Sequence, residues 1–314
     1  MTSPRLIVGA GLAGLIAAHA WPGCPIMEAS PKPQQSHRAL LRFRSDAVAR
    51  LTGVEFKKVR VHKGIWSRGS YAPSCIALAN LYARKCLGTL SGDRSIWSLD
   101  PVDRFIAPDD FYAQLLGNVG SRVEWAHAVN WPQISRGSIG LPPVVSTAPI
   151  VEVLRGLDLP DIEAKLGFVR APIHVLRFDV PDADVYQTVY FPDVDTRLYR
   201  ASITGRTLIC EFAGAAPEAN DLWHAQIDAA FGLKGHPWFV PIEEGVAQRY
   251  GKIAPIDDAA RRSLLFKLTY THGIFSLGRF ATWRNLLLDD VVDDIAVVKR
   301  LLRTADSYEL RRSA

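Results

Sequence analysis

The chain has 314 residues, of which 48% are hydrophobic and 22% charged, with a net charge of +5. That balance is ordinary for a globular protein of one or two domains, and it excludes disordered and fibrous chains. No apolar run approaches the ~20 residues of a membrane span, and the N-terminal segment has neither the charged lead-in nor the cleavage site of a signal peptide. The four cysteines (Cys24, Cys75, Cys86, Cys210) show no metal or disulfide spacing, so no metal site is expected, and a reducing cytoplasm is the simple reading.

In chain order, Leu6-Ile7-Val8 reads as a buried strand that stops at Gly9-Ala10-Gly11-Leu12-Ala13-Gly14, a G-x-G-x-x-G. An Ala-rich helix follows to about Ala20 and ends at Trp21-Pro22-Gly23. A second strand, Cys24 to Met27, finishes at Glu28. Each part has a physical role in holding a dinucleotide. Gly9 permits the tight turn, Gly11 lets backbone approach a pyrophosphate, and Gly14 lets helix and strand pack closely. The helix N-terminus offers free N–H groups to phosphate, and Glu28 can accept bonds from ribose hydroxyls.

After a proline-broken loop, a short helix is expected beyond an N-cap at Ser45 or Asp46, then a strand over Gly53 to Val61. Residues 62–95 are rich in Gly, Ser, Tyr and Trp, with one helical stretch ended by Gly88. A short helix over Phe111–Leu116, a strand over Val123–Ala128 and a strand meeting the turn at Pro149 come next. From about Arg170 four β-rich runs, IHVLRFDV, VYQTVYFP, RLYRASI and RTLICEF, predict an antiparallel sheet. A helix is expected near Asp221–Phe231. The last segment reads as a strand, beginning at LLFKLTYTH and ending at Gly278-Arg279, then a loop and a helix from about Asp289.

Charge is uneven. Between Ser36 and Arg68 nine Lys and Arg residues face two acids, a local charge of +7, with Phe43, Phe56 and Trp66 interleaved and Tyr71 just beyond. Such a stretch suits a nucleic-acid backbone; the alternative is that one or two of its arginines face a cofactor and the others sit in water.

A fingerprint this close to the N-terminus suits FAD, whose ADP half binds the first βαβ unit. Two further segments resemble the amine-oxidase and UDP-galactopyranose-mutase superfamily: Gly278-Arg279-Phe280-Ala281-Thr282-Trp283-Arg284 with Leu287-Leu288-Asp289-Asp290, and Val144-Val145-Ser146-Thr147-Ala148-Pro149. The resemblance implies an α/β fold: a Rossmann-like, glutathione-reductase-type FAD domain (1–61, 120–165 and 265–314) and a smaller antiparallel-sheet substrate domain (62–119 and 166–264). It implies that Gly9, Gly11, Ala13, Gly14 and Glu28 hold the ADP moiety and that Gly278 and Arg279 lie by the pyrophosphate and ribityl. The N–H groups at Leu288 and Asp289 would face the flavin N1–C2=O edge, and Arg42 would contact the cofactor. Lys252 resembles the lysine many amine oxidases hold near flavin N5, while Tyr270, His272 and Trp283 would line the flavin; Lys252, His272 and Tyr270 are the catalytic candidates. A departure stands after Glu28, where ASPKPQQSHR replaces the usual R-x-G-G. The implied activity is an FAD-dependent oxidoreductase or lyase breaking a C–N bond in a small-molecule amine, an amino acid or a modified nucleotide. The compact size and basic segment also resemble small phage-type FAD enzymes of thymidine hypermodification, with DNA as the partner. A non-catalytic FAD-binding or redox-sensing protein and a mutase-like enzyme using reduced FAD are the alternatives.

Overall fold

The computed structural model describes residues 4–31, 40–90, 95–135, 143–218 and 222–312. Strand β1 (Leu6–Val8) turns through the glycine loop into α1 (Leu12–Ala20), and β2 (Ile26–Met27) follows. Next come β3 (Arg42–Phe43), α2 (Ala47–Thr52), β4 (Lys57–Ser67), β5 (Ser70–Ala72) and α3 (Ile76–Leu87). Gly88 ends α3 in the left-handed conformation, φ 72°, which a side chain would strain. Then follow β6 (Val102–Ile106), α4 (Phe111–Val119), β7 (Val123–Glu124), α5 (Trp131–Ile134), β8 (Val144–Ser146), α6 (Ile150–Gly156) and α7 (Pro160–Leu166). Strand β9 (Arg170–Asp179) precedes the meander β10 (Val185–Tyr190), β11 (Leu198–Gly205) and β12 (Thr207–Ala213), whose last strand pairs back with β9; α8 (Trp223–Phe231), β13 (Val240–Pro241) and β14 (Val246–Ile253) follow. The chain closes with α9 (Asp258–His272), β15 (Ile274–Ser276) and α10 (Leu288–Arg312).

Two sheets organise these elements. The first is parallel and five-stranded, in the order β15-β8-β1-β2-β7. Both of its faces are covered, which is why its strands are continuous apolar runs rather than alternating ones. On one face α1, α4 and α10 bury Ile7, Leu15, Phe111, Val145 and Val291. On the other, Leu6, Val8, Val144, Ile150, Leu264 and Trp283 form a second core with α6 and α9. The larger sheet has ten strands, in the order β13-β9-β12-β11-β10-β4-β6-β3, with β14 beside β9 and β5 beside β4. α8 packs on one side of it, through Trp223 and Ile227 against Phe212 and Leu208. α3 packs on the other, through Tyr82 and Cys86 against Tyr199 and Ile209.

The four β-rich runs form adjacent antiparallel strands as expected, but the sheet also recruits residues from the first third of the chain. β4, eleven residues long, begins within the strand expected up to Val61 but runs on to Ser67, and it pairs in parallel with β10. The division of the chain therefore differs from the expected one. β3 and β4 fall in the large sheet although 1–61 was assigned to the first domain, while α4 packs on the first domain although 62–119 was assigned to the second. Residues 264–272 form the second half of α9, not a strand, because only Leu264 and Leu268, four apart, need burial there. β7 stops at Glu124, short of Ala128, as Ala126 takes a left-handed φ of 57°.

Candidate functional site

The C-terminal ends of the parallel strands meet at one cavity of about 850 Å³, within the roughly 300–1,000 Å³ usual for ligand pockets. Gly9 follows β1, Glu28 follows β2, Thr147 follows β8 and Gly278 follows β15, and all four line it. Ligands of open α/β sheets bind at this end. The opposite wall comes from Leu40–Phe43 and from Gln248 and Gly251 of the large sheet.

The glycines divide the labour of the turn. Gly9 sits at φ +97°, closed to side chains, and Thr147 bonds from its hydroxyl to the Val8 carbonyl at 2.8 Å to brace it. A Cβ at Gly14 would lie 1.9 Å from the Gly9 carbonyl oxygen, so this residue lets α1 pack on the strand. At Gly11 a Cβ would meet no protein atom within 4 Å; it faces the cavity. A backbone cradle with an open approach suits a pyrophosphate, and the α1 N-terminus points into it. Glu28 is fixed by two backbone donors, Ala10 N at 2.7 Å and Ser30 N at 2.9 Å. Gly278, at φ +92°, has space for a Cβ only 2.9 Å from that of Ala13, so the last strand closes tightly on the first helix.

The N-terminus of α10 also faces the cavity through Leu286, Leu287 and Leu288. Asp289 does not. Its buried carboxylate accepts bonds from Arg44 N (2.9 Å), Ser45 N (3.2 Å) and Ser45 Oγ (3.0 Å), tying α10 to the segment that enters α2. Its side chain is an anchor rather than a flavin contact. Arg42 does line the cavity, yet its donors turn away from it. They reach the Thr188 and Thr204 hydroxyls at 2.7 Å and the Gln187 and Ile203 carbonyls at 3.1 and 2.7 Å. Burial, then the nearby Arg200 charge, pull Arg42 down to about 9.

The expected catalytic trio separates. Lys252 stands beside the cavity, next to Gly251, whose missing side chain lets β14 press on Ile173 of β9. Its Nζ lies 4.4 Å from the centre of the Tyr199 ring. Burial, then Arg200, lower Lys252 to about 8, with Glu211 opposing. Tyr270 and His272 are elsewhere, because α9 enters β15 at the far end of the parallel sheet. Tyr270 is 77% exposed and stacks on Phe266, and His272 bonds to Ser135 Oγ at 2.8 Å. Trp283 is buried in the core against Phe168, with its Nε1 on the Ala254 carbonyl at 3.0 Å.

A buried polar cluster behind Lys252 was not foreseen. Arg200 binds Glu211 with two donors, Nη2 at 2.7 Å and Nε, and the Tyr199 hydroxyl reaches Glu211 at 2.9 Å. Burial alone would raise the Glu211 carboxyl, but Arg200 holds it below the usual range. An irregularity between Leu198 and Arg200 sets Arg200 opposite Glu211, a register that a sequence does not display.

No family model and no curated protein matches this chain. Solved structures do. Reduced UDP-galactopyranose mutase aligns over 95% of this chain and 96% of its own, at 15% identity and a TM-score of 0.66. An oxidoreductase from Methanosarcina mazei aligns over 94% and 99%, at 10% identity and 0.52. A geranylgeranyl bacteriochlorophyll reductase-like protein from Thermoplasma acidophilum aligns over 96% and 78%, at 13% identity and 0.51. The chain shares their fold. It is α/β, with a Rossmann-like domain set against a second, curled sheet, as the glycine motif and the β-rich runs predict.

Proposed function

We propose that the cavity holds FAD and that the protein is an FAD-dependent oxidoreductase acting at a C–N bond of an amine or amino-acid-type substrate. The observation that carries this reading is the convergence on one cavity of two helix N-termini, α1 and α10, with the open face of Gly11 beside the first. The residues fit the group. Gly9, Gly11 and Ala13 would hold the pyrophosphate, Glu28 the ribose, and the 286–288 backbone the flavin edge, where a helix dipole favours negative charge. FAD, when bound, supplies the acceptor for a hydride from the substrate carbon. The protein's own part is to orient that carbon and keep water from it, which the apolar wall of Leu40, Leu41 and Phe43 serves.

Purified protein should be yellow and release FAD on denaturation. Mixed without oxygen with a panel of amines and amino acids, it should bleach with one class of them. Release of NAD, FMN or no nucleotide would defeat the cofactor assignment. Turnover only after chemical reduction, with no net bleaching, would point instead to a mutase-like reaction. Bound FAD without any turnover would point to redox sensing.

A further inference from the structure

Among the described residues the sheet-side wall of the cavity contains no acid. The carboxylates that line the cavity, Glu28 and Glu152, both belong to the parallel-sheet domain. Of the cations on that side Arg42 lines the wall itself, Lys252 directly follows the lining residue Gly251, and Arg200 stands close to both. Among the described residues Glu211 is the one carboxylate beside Arg200 and Lys252. Arg200 already occupies both oxygens of Glu211, and Tyr199 shares one. Arg42 gives its two terminal nitrogens to hydroxyls and carbonyls, and its buried Nε has no hydrogen-bond partner among the described residues. Lys252 has an aromatic face beneath it and no carboxylate of its own among the described residues. Buried charges are ordinarily matched by a partner, and here the positive charge is in excess.

We propose that this end of the cavity is an anion subsite, in which a carboxylate or phosphate of the substrate supplies Lys252 with the counter-charge that the fold leaves out. The word substrate rests on the enzyme reading above; the subsite itself rests on the charge arrangement. The groups facing Lys252 are Tyr199 and Arg200 of β11, Glu211 of β12, Cys86 of α3 and Arg279 beyond β15. Burial and then Arg200 depress its pKa to about 8, so the ammonium is largely retained at neutral pH and is lost as pH rises through 8. An incoming anion reverses that balance, and by linkage its affinity must fall as pH rises through 8.

Calorimetric titration of the FAD-loaded protein, and of the same protein stripped of flavin, with benzoate, phenyl phosphate and benzamide tests this. One of the two anions should bind, and neutral benzamide should bind about tenfold more weakly or worse. Anion affinity should drop about tenfold between about pH 7 and about pH 9. Lys252→Met should remove the preference and flatten the pH dependence, while Lys252→Arg keeps the preference and also flattens it. Lys252→Gln serves where the methionine variant folds poorly. A preference for benzoate indicates an amino-acid-type substrate, and one for phenyl phosphate a nucleotide. Benzamide binding as tightly as the anions, no anion binding, or unchanged affinity in the Lys252 variants would overturn the subsite. Flavin content measured on the same preparations keeps the two readings apart. Anion selectivity without FAD defeats the cofactor assignment alone, and FAD without anion selectivity defeats the subsite alone.

Discussion

Valine at position 11 and valine at position 14 should fail in different ways. Gly11 has φ −70° and ψ 175°, a conformation open to valine, and its Cβ direction is empty of protein. Gly11→Val should therefore fold with a melting temperature, in the flavin-free state, close to that of the parent, yet retain no FAD. Gly14→Val drives a side chain into the Gly9 carbonyl, and the helix must lift from the strand. Overpacking of that kind costs about 1–3 kcal/mol or more, so this variant should lose stability with or without cofactor. Thermal melts of the two flavin-free proteins, set beside their flavin content, check the contrast. A Gly11→Val protein with full FAD would remove the loop from the site. Both glycines were legible in the sequence because a turn that needs a special φ and a close contact accepts few residues. Arg42 was legible as a residue but not in direction. Its acceptors lie more than 140 positions away, on strands whose register depends on the folded sheet.

At the scale of elements, α10 depends on a contact from the other end of the chain. Asp289 satisfies two backbone N–H groups and a hydroxyl at 44–45 from a buried position. Asp289→Ala should cost about 1–3 kcal/mol, a fall of several degrees in melting temperature. It should also loosen flavin retention, since the 286–288 turn would lose its anchor. Asp289→Asn, which keeps one acceptor oxygen, should fall between. Equal flavin affinity in all three proteins would separate this anchor from the cavity. Asp289 stood out in the sequence as part of a motif, but its work is to brace the backbone. α9 shows the opposite failure. Its signals were present, in the Asp257 cap that accepts from Ala260 N at 2.8 Å and in Gly273 at φ 65°. The run LLFKLTYTH nevertheless reads as a strand, because its apolar residues fall on both helical faces: Phe266 and Tyr270 lie outside while Leu264 and Leu268 lie inside. β14 is invisible for a related reason. Its pairing with β9 slips between Gln248 and Lys252, so no clean alternation survives to be read.

The basic stretch is a property of the whole molecule. As sequence, residues 36–68 form a block of charge +7; residues 32–39, Arg38 among them, lie outside the described residues. Folded, much of the block meets acids brought from far along the chain. Lys57 pairs with Asp184, Lys58 and Arg60 share Asp103, and Arg44 meets Asp289 and Asp290, while Arg50 bonds to its helical neighbour Asp46. Arg42 is committed to the sheet, and Lys63 donates to the Ser98 carbonyl. Trp66 packs edge-on against Tyr71, whose hydroxyl is held by the Ala230 carbonyl, so that ring is not presented to a base. Charges already paired release few counterions when a phosphate approaches. Each phosphate neutralised on a single strand contributes about −0.7 to the slope of log affinity against log salt. We therefore expect unmodified single-stranded DNA to bind weakly, with a slope shallower than about −2 between about 50 and about 200 mM salt. Charge reversal at Lys57, Lys58 and Lys63 should then change that slope little and leave FAD content untouched. A slope near −4 or steeper, lost in the triple variant, would mean that the ion pairs open to admit a nucleic-acid backbone and would return DNA as the substrate's carrier. With a shallow slope, any nucleotide selectivity has to arise inside the cavity.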